Sequence, residues 1–202
     1  MKKKINFVYT GQGSQYPGML DKISKTAERY PVLARVLEEA SDTLGYDVVK
    51  TAADESLVGL TQYTQPLLVT YEYAQSFMYS NLSDTPGVMH TAAGHSLGEY
   101  SALLSTASTG FAKSLLAVKK RGELMQRAVP VGVGTMAALT TKTKSENFGK
   151  DITEILSSSG LNLSVANYNS LSQIVISGAV SDIPHAKELL TKGLSEYKKV
   201  RF

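Results

Sequence analysis

Cysteine is absent from the 202 residues, so the chain can form no disulfide, present no thiol nucleophile and offer no thiolate to a metal. Histidine is scarce, with 3 in all, at positions 90, 95 and 185. Three scattered imidazoles without thiolates make no metal site, and none is expected. No apolar run approaches the length of a membrane span. Lys2, Lys3 and Lys4 are followed only by the short stretch Ile5 to Tyr9. That is too short for the hydrophobic region of a signal peptide, and no cleavage site follows, so a cytoplasmic protein is the simplest expectation. Charge of neither sign dominates. The net charge is +3, charged residues make up 19%, and there is no long basic run, so nucleic acid is not an expected partner. At 43% hydrophobic the composition is that of a globular chain. The length allows one ordinary domain or a larger core with a small appendage.

What is there alternates in texture. Ile5 to Tyr9 reads as a buried strand entering the glycine loop Gly11-Gln12-Gly13-Ser14-Gln15, which Pro17 and Gly18 continue. From Pro31 to Leu44 the residues Val32, Leu33, Val36, Leu37, Ala40 and Leu44 recur at helical spacing, with Gly45 as the stop. Thr64-Gln65-Pro66 reads as the opening of a helix that runs to about Ser80, with the proline near its first turn. Val88 to Ala93 reads as a second buried strand, a helix follows Gly98, and another spans Phe111 to Ala128. Alternating strands and helices predict an α/β unit with a mostly parallel sheet. Pro130-Val131-Gly132-Val133-Gly134 reads as a linker between a large subdomain, 1–130, and a small one, 131–202. The small one reads strand (135–140), helix (145–158), strand (163–168), strand (173–178), helix (183–190) and a last strand from Tyr197 to Phe202. That order predicts a ferredoxin-like subdomain.

Gly94-His95-Ser96-Leu97-Gly98 lies between a buried strand and a helix, the setting of a nucleophile elbow. A serine on such a strained turn needs small neighbours. The helix that follows aims its N–H groups and positive dipole end at the site, and the N–H of Leu97 is a natural oxyanion donor. The same five residues also fit a tight structural turn with a capping serine.

The wider pattern is more specific. Gly11-Gln12-Gly13-Ser14-Gln15, Thr64-Gln65-Pro66, Gly94-His95-Ser96-Leu97-Gly98-Glu99-Tyr100-Ser101-Ala102-Leu103, Lys120-Arg121-Gly122-Glu123-Leu124-Met125 and Ala166-Asn167-Tyr168-Asn169-Ser170 follow one another in register. Together they resemble the malonyl-CoA:acyl-carrier-protein transacylase family and the related acyltransferases of polyketide synthases, from Ile5 to the last residue. The resemblance implies a hydrolase-like core with a ferredoxin-like small subdomain. It implies that Ser96 takes the malonyl group from malonyl-CoA as an ester, for transfer to the phosphopantetheine thiol of acyl carrier protein in fatty-acid or polyketide synthesis. Gln12 and the N–H of Leu97 would bind the oxyanion. Arg121 would fork onto the free malonyl carboxylate, and Gln65 and Asn169 would line the site. By residue type alone, Arg121 reads first as a solvated helix residue among Lys119, Lys120 and Arg127, and only the resemblance gives it the carboxylate; Asn169 fits a polar cap as well. Leu97 leans towards malonyl over methylmalonyl by the same resemblance. Malonyl-CoA and the carrier are substrates, and no cofactor is expected. One departure stands at the front, where the family usually has proline and this chain has Thr10; a slightly looser loop is the expectation there.

A serine needs a base. The resemblance assigns that base to a histidine after the last strand of the small subdomain, a segment that residues 1–202 do not include. His95 precedes Ser96 on a strand and is expected to point to the other face; His90 and His185 are expected in the core or edge and on the surface. Residues 1–202 are therefore expected to be a piece of a longer transacylase, with little transfer activity alone. Two other readings stand beside this one: a non-catalytic remnant that binds a carrier protein, and a serine esterase built on the same elbow.

Overall fold

The computed structural model describes residues 4–82 and 88–202, which divide after Ala128 into two compact units, Met1–Ala128 and Val129–Phe202. In the first unit β1 (Lys4–Tyr9) pairs in parallel with β2 (Val88–Gly94), Tyr9 lying opposite Gly94. Around them run α1 (Asp21–Ala27), α2 (Pro31–Leu44), α3 (Val48–Ala53), α4 (Glu55–Val58), α5 (Thr61–Leu82), α6 (Gly98–Ser105) and α7 (Phe111–Ala128). An isolated helix the length of α2 is marginal in water. Its stripe Leu33, Val36, Leu37, Ala40 and Leu44 is buried, and each large side chain contributes about 1.5–3 kcal/mol, so packing decides. Gly45 ends the helix in the left-handed region at φ 79°.

The two strands are not buried on both faces, as their apolar runs predict. Phe7 and Tyr9 face inward, Phe7 edge-on to Tyr79 of α5, whereas Val8 is 78% exposed and Thr91 and Ala93 are exposed too. Among the described residues the helices cover one face of this pair.

Helix α5 also begins earlier than its proline predicts. Thr61 is its first residue, and Pro66 sits inside it. The extra turn is held from outside the helix. Gln126 of α7 accepts the N–H of Thr61 at 3.0 Å, and the carbonyl of Leu60 accepts those of Tyr63 and Thr64. The short helices α1, α3 and α4 are additional to the periodic segments. Asp47 opens α3 by accepting the N–H groups of Val49 and Lys50, and Asp54 opens α4 by accepting that of Ser56.

In the second unit β3 (Gly134–Thr140), β5 (Gln173–Ala179) and β4 (Leu163–Ser170) form an antiparallel sheet in that order, covered by α8 (Phe148–Ser159) and α9 (Ile183–Gly193). Its core is Leu139, Phe148, Ile152, Leu156, Ile174, Ile176, Ala186, Leu190 and Leu194, closed by Tyr197. The succession is strand, helix, strand, strand, helix. The last strand expected over 197–202 is reduced to one bridge, Arg201 opposite Thr140 on the free side of β3. Two features stop it lengthening. Lys199 has φ 56°, and the carbonyl of Lys198 is taken by Thr141 and Lys142.

The cap of α3 generates a prediction. Hydrogen bonds from the Lys50 backbone, with smaller contributions from its side chain and from Val49, hold the Asp47 carboxyl below its ordinary range. A depressed carboxyl stabilises the fold at pH above its unfolded value and loses that contribution as pH falls through the folded one. Asp47→Ala is therefore expected to lower stability by about 1 kcal/mol at neutral pH, with the deficit shrinking in acid. Urea unfolding at several pH values measures both.

Candidate active site

The end of β1, the turn after β2 and the start of α6 meet with almost no side chain between them. A Cβ on Gly94 would fall 2.0 Å from the backbone of Gly98, and one on Gly98 would fall 2.4 Å from the carbonyl oxygen of Tyr9. A Cβ on Gly11 would meet the His95 carbonyl at 2.8 Å. Any side chain at these places would push the loop and the elbow apart. Between the two elbow glycines Ser96 has φ 54°, the left-handed region that non-glycine residues seldom adopt. The chain turns there from strand to helix: the Gly98 N–H donates to the His95 carbonyl and that of Tyr100 to the Leu97 carbonyl. Leu97 is buried and forms the N-cap of α6. Among the described residues its own N–H has no acceptor, which leaves it open to a developing negative oxygen.

Four of the residues singled out by sequence are linked by hydrogen bonds or close polar contacts. Arg121 of α7 donates through Nη1 to Gln65 Oε1 at 2.7 Å and through Nη2 to Ser96 Oγ at 3.4 Å. Gln65 is fully buried in α5, and its Nε2 lies 3.2 Å from Met125 Sδ and 3.4 Å from Gln12 Oε1. Gln12 donates in turn to Thr61 Oγ at 3.0 Å. The guanidinium also stands 5.9 Å from the centre of the Tyr100 ring. Arg121 is thus held by a buried amide and an aromatic face, rather than waving in solvent as its position among lysines allows. Gly122 makes this possible. A Cβ there would fall 2.7 Å from the Thr61 carbonyl and 2.9 Å from Gln62 Cα, so α7 and α5 approach backbone to backbone.

Asn169 stands exposed on β4 of the second unit and donates to Gln173 Oε1 at 3.0 Å. His95 is exposed beside the Gly11 loop, with Nδ1 3.2 Å from the place a Gly11 Cβ would take. His90 lies in β2, and His185 is exposed on α9. Thr10 does not loosen its loop: its N–H and its hydroxyl both donate to Glu72 Oε1 at 2.7 Å. Glu72, Thr61 and Tyr100 are parts of the site to which residue type gave no role. Glu72 sits two helical turns past Gln65, on the same side of α5, and nothing in its residue type or neighbours singled it out. Among the described residues no cluster of acidic and imidazole groups could hold a metal ion, and no helix is long and apolar enough to cross a membrane.

A strained serine between two glycines, at the junction of a parallel strand and a helix, defines an α/β protein built around a nucleophile elbow. The family model for the acyl transferase domain matches residues 6–193, and the chain belongs to that family. It is 36% identical over 188 residues to the malonyl CoA-acyl carrier protein transacylase of Bacillus subtilis, covering 92% of this chain and 57% of that protein. It is 37% identical over 197 residues to the Haemophilus influenzae protein of the same name, covering 93% and 58%. Among solved structures, the Coxiella burnetii malonyl CoA-acyl carrier protein transacylase superposes over 100% of this chain and 61% of its own, at a TM-score of 0.80 and 31% identity. A malonyl-transacylase solved in complex with a type II PKS acyl-carrier protein matches over 98% of this chain and 62% of its own, at 0.79 and 32%. The chain therefore spans a little over half the length of the relatives it matches.

The α5–α7 crossing generates a second prediction. Helix propensity alone favours Gly122→Ala by about 1 kcal/mol. The overlap is with backbone that cannot yield, and overpacking of this kind costs about 1–3 kcal/mol. The variant is expected to unfold at lower urea than the wild type; a higher midpoint would show that the two helices can separate freely.

Proposed function

We propose that this chain carries the acyl-accepting site of a malonyl transferase, with Ser96 as the nucleophile and Arg121 as the reader of the malonyl carboxylate. The observation that carries this is the guanidinium 3.4 Å from the Ser96 hydroxyl, anchored on its far side by Gln65. An elbow serine alone fits any acyl group. A fixed cation within reach of its oxygen fits an acyl group that ends in an anion.

The chemistry follows the geometry. Ser96 Oγ attacks the thioester carbonyl of malonyl-CoA and gives up its proton, and the carbonyl oxygen takes the negative charge. The Leu97 N–H receives that charge together with the backbone N–H of Gln12, whose side-chain amide is engaged by Thr61. The carbon–sulfur bond breaks, the base returns the proton to the sulfur so that CoA leaves as its thiol, and Ser96 holds a malonyl ester. Its carboxylate lies two carbons beyond the ester oxygen, a span the Arg121 fork can cover with two charge-assisted hydrogen bonds. An acetyl group would leave that cation unanswered in a partly buried place, which is the basis for selection. In the return step the phosphopantetheine thiol of an acyl carrier protein attacks the ester and frees Ser96. The scheme uses substrates alone, and both are water-soluble, which accords with a cytoplasmic setting. The proton of Ser96 goes to a general base, the role the family resemblance assigns to a histidine. An esterase on the same elbow gains nothing from Arg121 at this position.

Binding tests the reading without requiring the base. By calorimetry on a Ser96→Ala chain, malonyl-CoA is expected to bind at least about 10-fold more tightly than acetyl-CoA, the value of one or two charge-assisted hydrogen bonds. Arg121→Ala should erase the difference. Equal affinity for the two thioesters in the parent chain would sink the carboxylate-reading role. Intact mass after incubation with malonyl-CoA then asks whether Ser96 itself takes the group. Carrier-protein binding with no preference among thioesters would support a binding module, and labelling by uncharged esters in preference to malonyl-CoA would support an esterase.

A further inference from the structure

Glu72 is a buried carboxylate that forms no ion pair among the described residues. It is 7% exposed, and the described ion pairs are Lys50 with Asp47 and Lys150 with Glu154, both far along the chain from it. A buried acid is costly unless its oxygens are satisfied. Here each oxygen is. Oε1 accepts the N–H and the hydroxyl of Thr10, both at 2.7 Å, and Oε2 accepts the Ser101 hydroxyl at 2.5 Å. Burial pushes the Glu72 carboxyl up from its ordinary range, while these three donors pull the other way.

The three elements that meet on this carboxylate are the ones that build the candidate site. Glu72 is on α5, two helical turns past the Gln65 that holds Arg121. Ser101 is on α6, the helix that starts at the elbow. Thr10 is the last residue before the loop that carries Gln12. The contact continues into that loop: Thr10 Oγ lies 2.7 Å from Ser14 Oγ, which donates to the Gly11 carbonyl at 2.9 Å, and the Gly13 N–H donates to Gln15 Oε1 at 2.8 Å. A proline at position 10, the residue the family resemblance leads one to expect, has neither an N–H nor a hydroxyl to give. Thr10 and Glu72 therefore work as a pair.

We propose that Glu72 is a positioning residue, whose carboxylate ties the Gly11–Gln15 loop to α6 and so sets Gln12 against the elbow. This rests on the reading of Ser96 as acyl acceptor. The oxyanion receives one N–H from the elbow and one from this loop, and these two donors belong to separate stretches of chain. Their spacing is only as fixed as the link between those stretches. Glu72 supplies that link from a third, rigid helix, and it touches neither substrate nor the reacting atoms.

The test uses the whole chain and two independent readouts. Hydrogen exchange of the amides from Thr10 to Ser14 is measured in the wild type, Glu72→Ala and Glu72→Gln. In Glu72→Ala these amides are expected to exchange about 10- to 100-fold faster, the loss of one charge-assisted hydrogen bond. Protection in α2 and α7 should stay unchanged, which shows that the variant is folded. Glu72→Gln keeps a carbonyl oxygen for Thr10 and is expected to restore most of the protection. The second readout is the rate of Ser96 malonylation at saturating malonyl-CoA, expected to fall about 10-fold or more in Glu72→Ala at unchanged affinity, because displacement of an oxyanion donor acts on the transition state. Glu72→Gln should recover it, and adding Thr10→Pro to Glu72→Ala should slow it no further. Unchanged loop exchange in Glu72→Ala overturns the proposal. So does faster exchange with undiminished malonylation, which would leave Glu72 a merely structural acid. A wild type that takes no malonyl group bears on the base and not on the tether, which the exchange data then decide by themselves; equal binding of malonyl-CoA and acetyl-CoA is the result that counts against the reading of the site.

Discussion

Backbone meeting backbone is the constraint on which the rest of the first unit depends. Gly94 and Gly98 let strand and helix cross at a distance no Cβ could share, and Gly11 lets the loop close onto the same spot. Gly122 does the same for α5 and α7. Each glycine weakens its own element by the freedom it has when unfolded. Each also brings a functional group to within hydrogen-bond range of another. Dispersion and burial hold the surrounding helices, through Leu33, Leu67, Leu97 and Leu115 among others, and those residues could be exchanged for others of similar volume. The glycines have no substitute of any size.

The polar side of the site is organised around α5. From this one helix Gln65 reaches Arg121 and Gln12, Thr61 reaches Gln12, and Glu72 reaches Thr10 and Ser101. The helix is therefore less a wall of the core than the frame on which loop, elbow and cation are hung. Five of its polar residues, Thr64, Gln65, Thr70, Glu72 and Ser76, are buried, which explains why its faces are poorly segregated into apolar and polar, in contrast to the clean stripe of α2. Every buried polar group on α5 named here has a partner, and this makes the arrangement affordable.

Much of this was legible in the residues. The spacing of Leu33, Val36, Leu37 and Leu44 marks α2 with its bounds, and Phe111 to Ala128 is α7 as read. The β-α-β-β-α order of the second unit was visible in alternating apolar residues such as Ile174 and Ile176. Ser96 between glycines, after an apolar strand, announced the elbow. What could not be read were effects from outside a segment. The early start of α5 depends on Gln126 from another helix, and the open face of Val8 depends on which layers cover the sheet. The helices α3 and α4 are too short for periodicity to show; their signals are the capping acids Asp47 and Asp54. Arg121 looked like one cation among several because its partners lie about 25 and 56 residues away in sequence. Glu72 had no sequence signal that distinguishes it from a surface acid.

The backbone at Ser96 has a consequence for which nucleophile the proposed transfer can employ. At φ 54° a side chain branched at its β-carbon crowds the preceding carbonyl, and such residues are outliers there. Threonine carries the same hydroxyl as serine and is comparable to it as an acyl acceptor, yet its branched β-carbon makes it far less tolerated at this turn. The choice between the two alcohols is made by the torsion angle before any chemistry begins. An unbranched thiol would be admitted where a branched alcohol is refused.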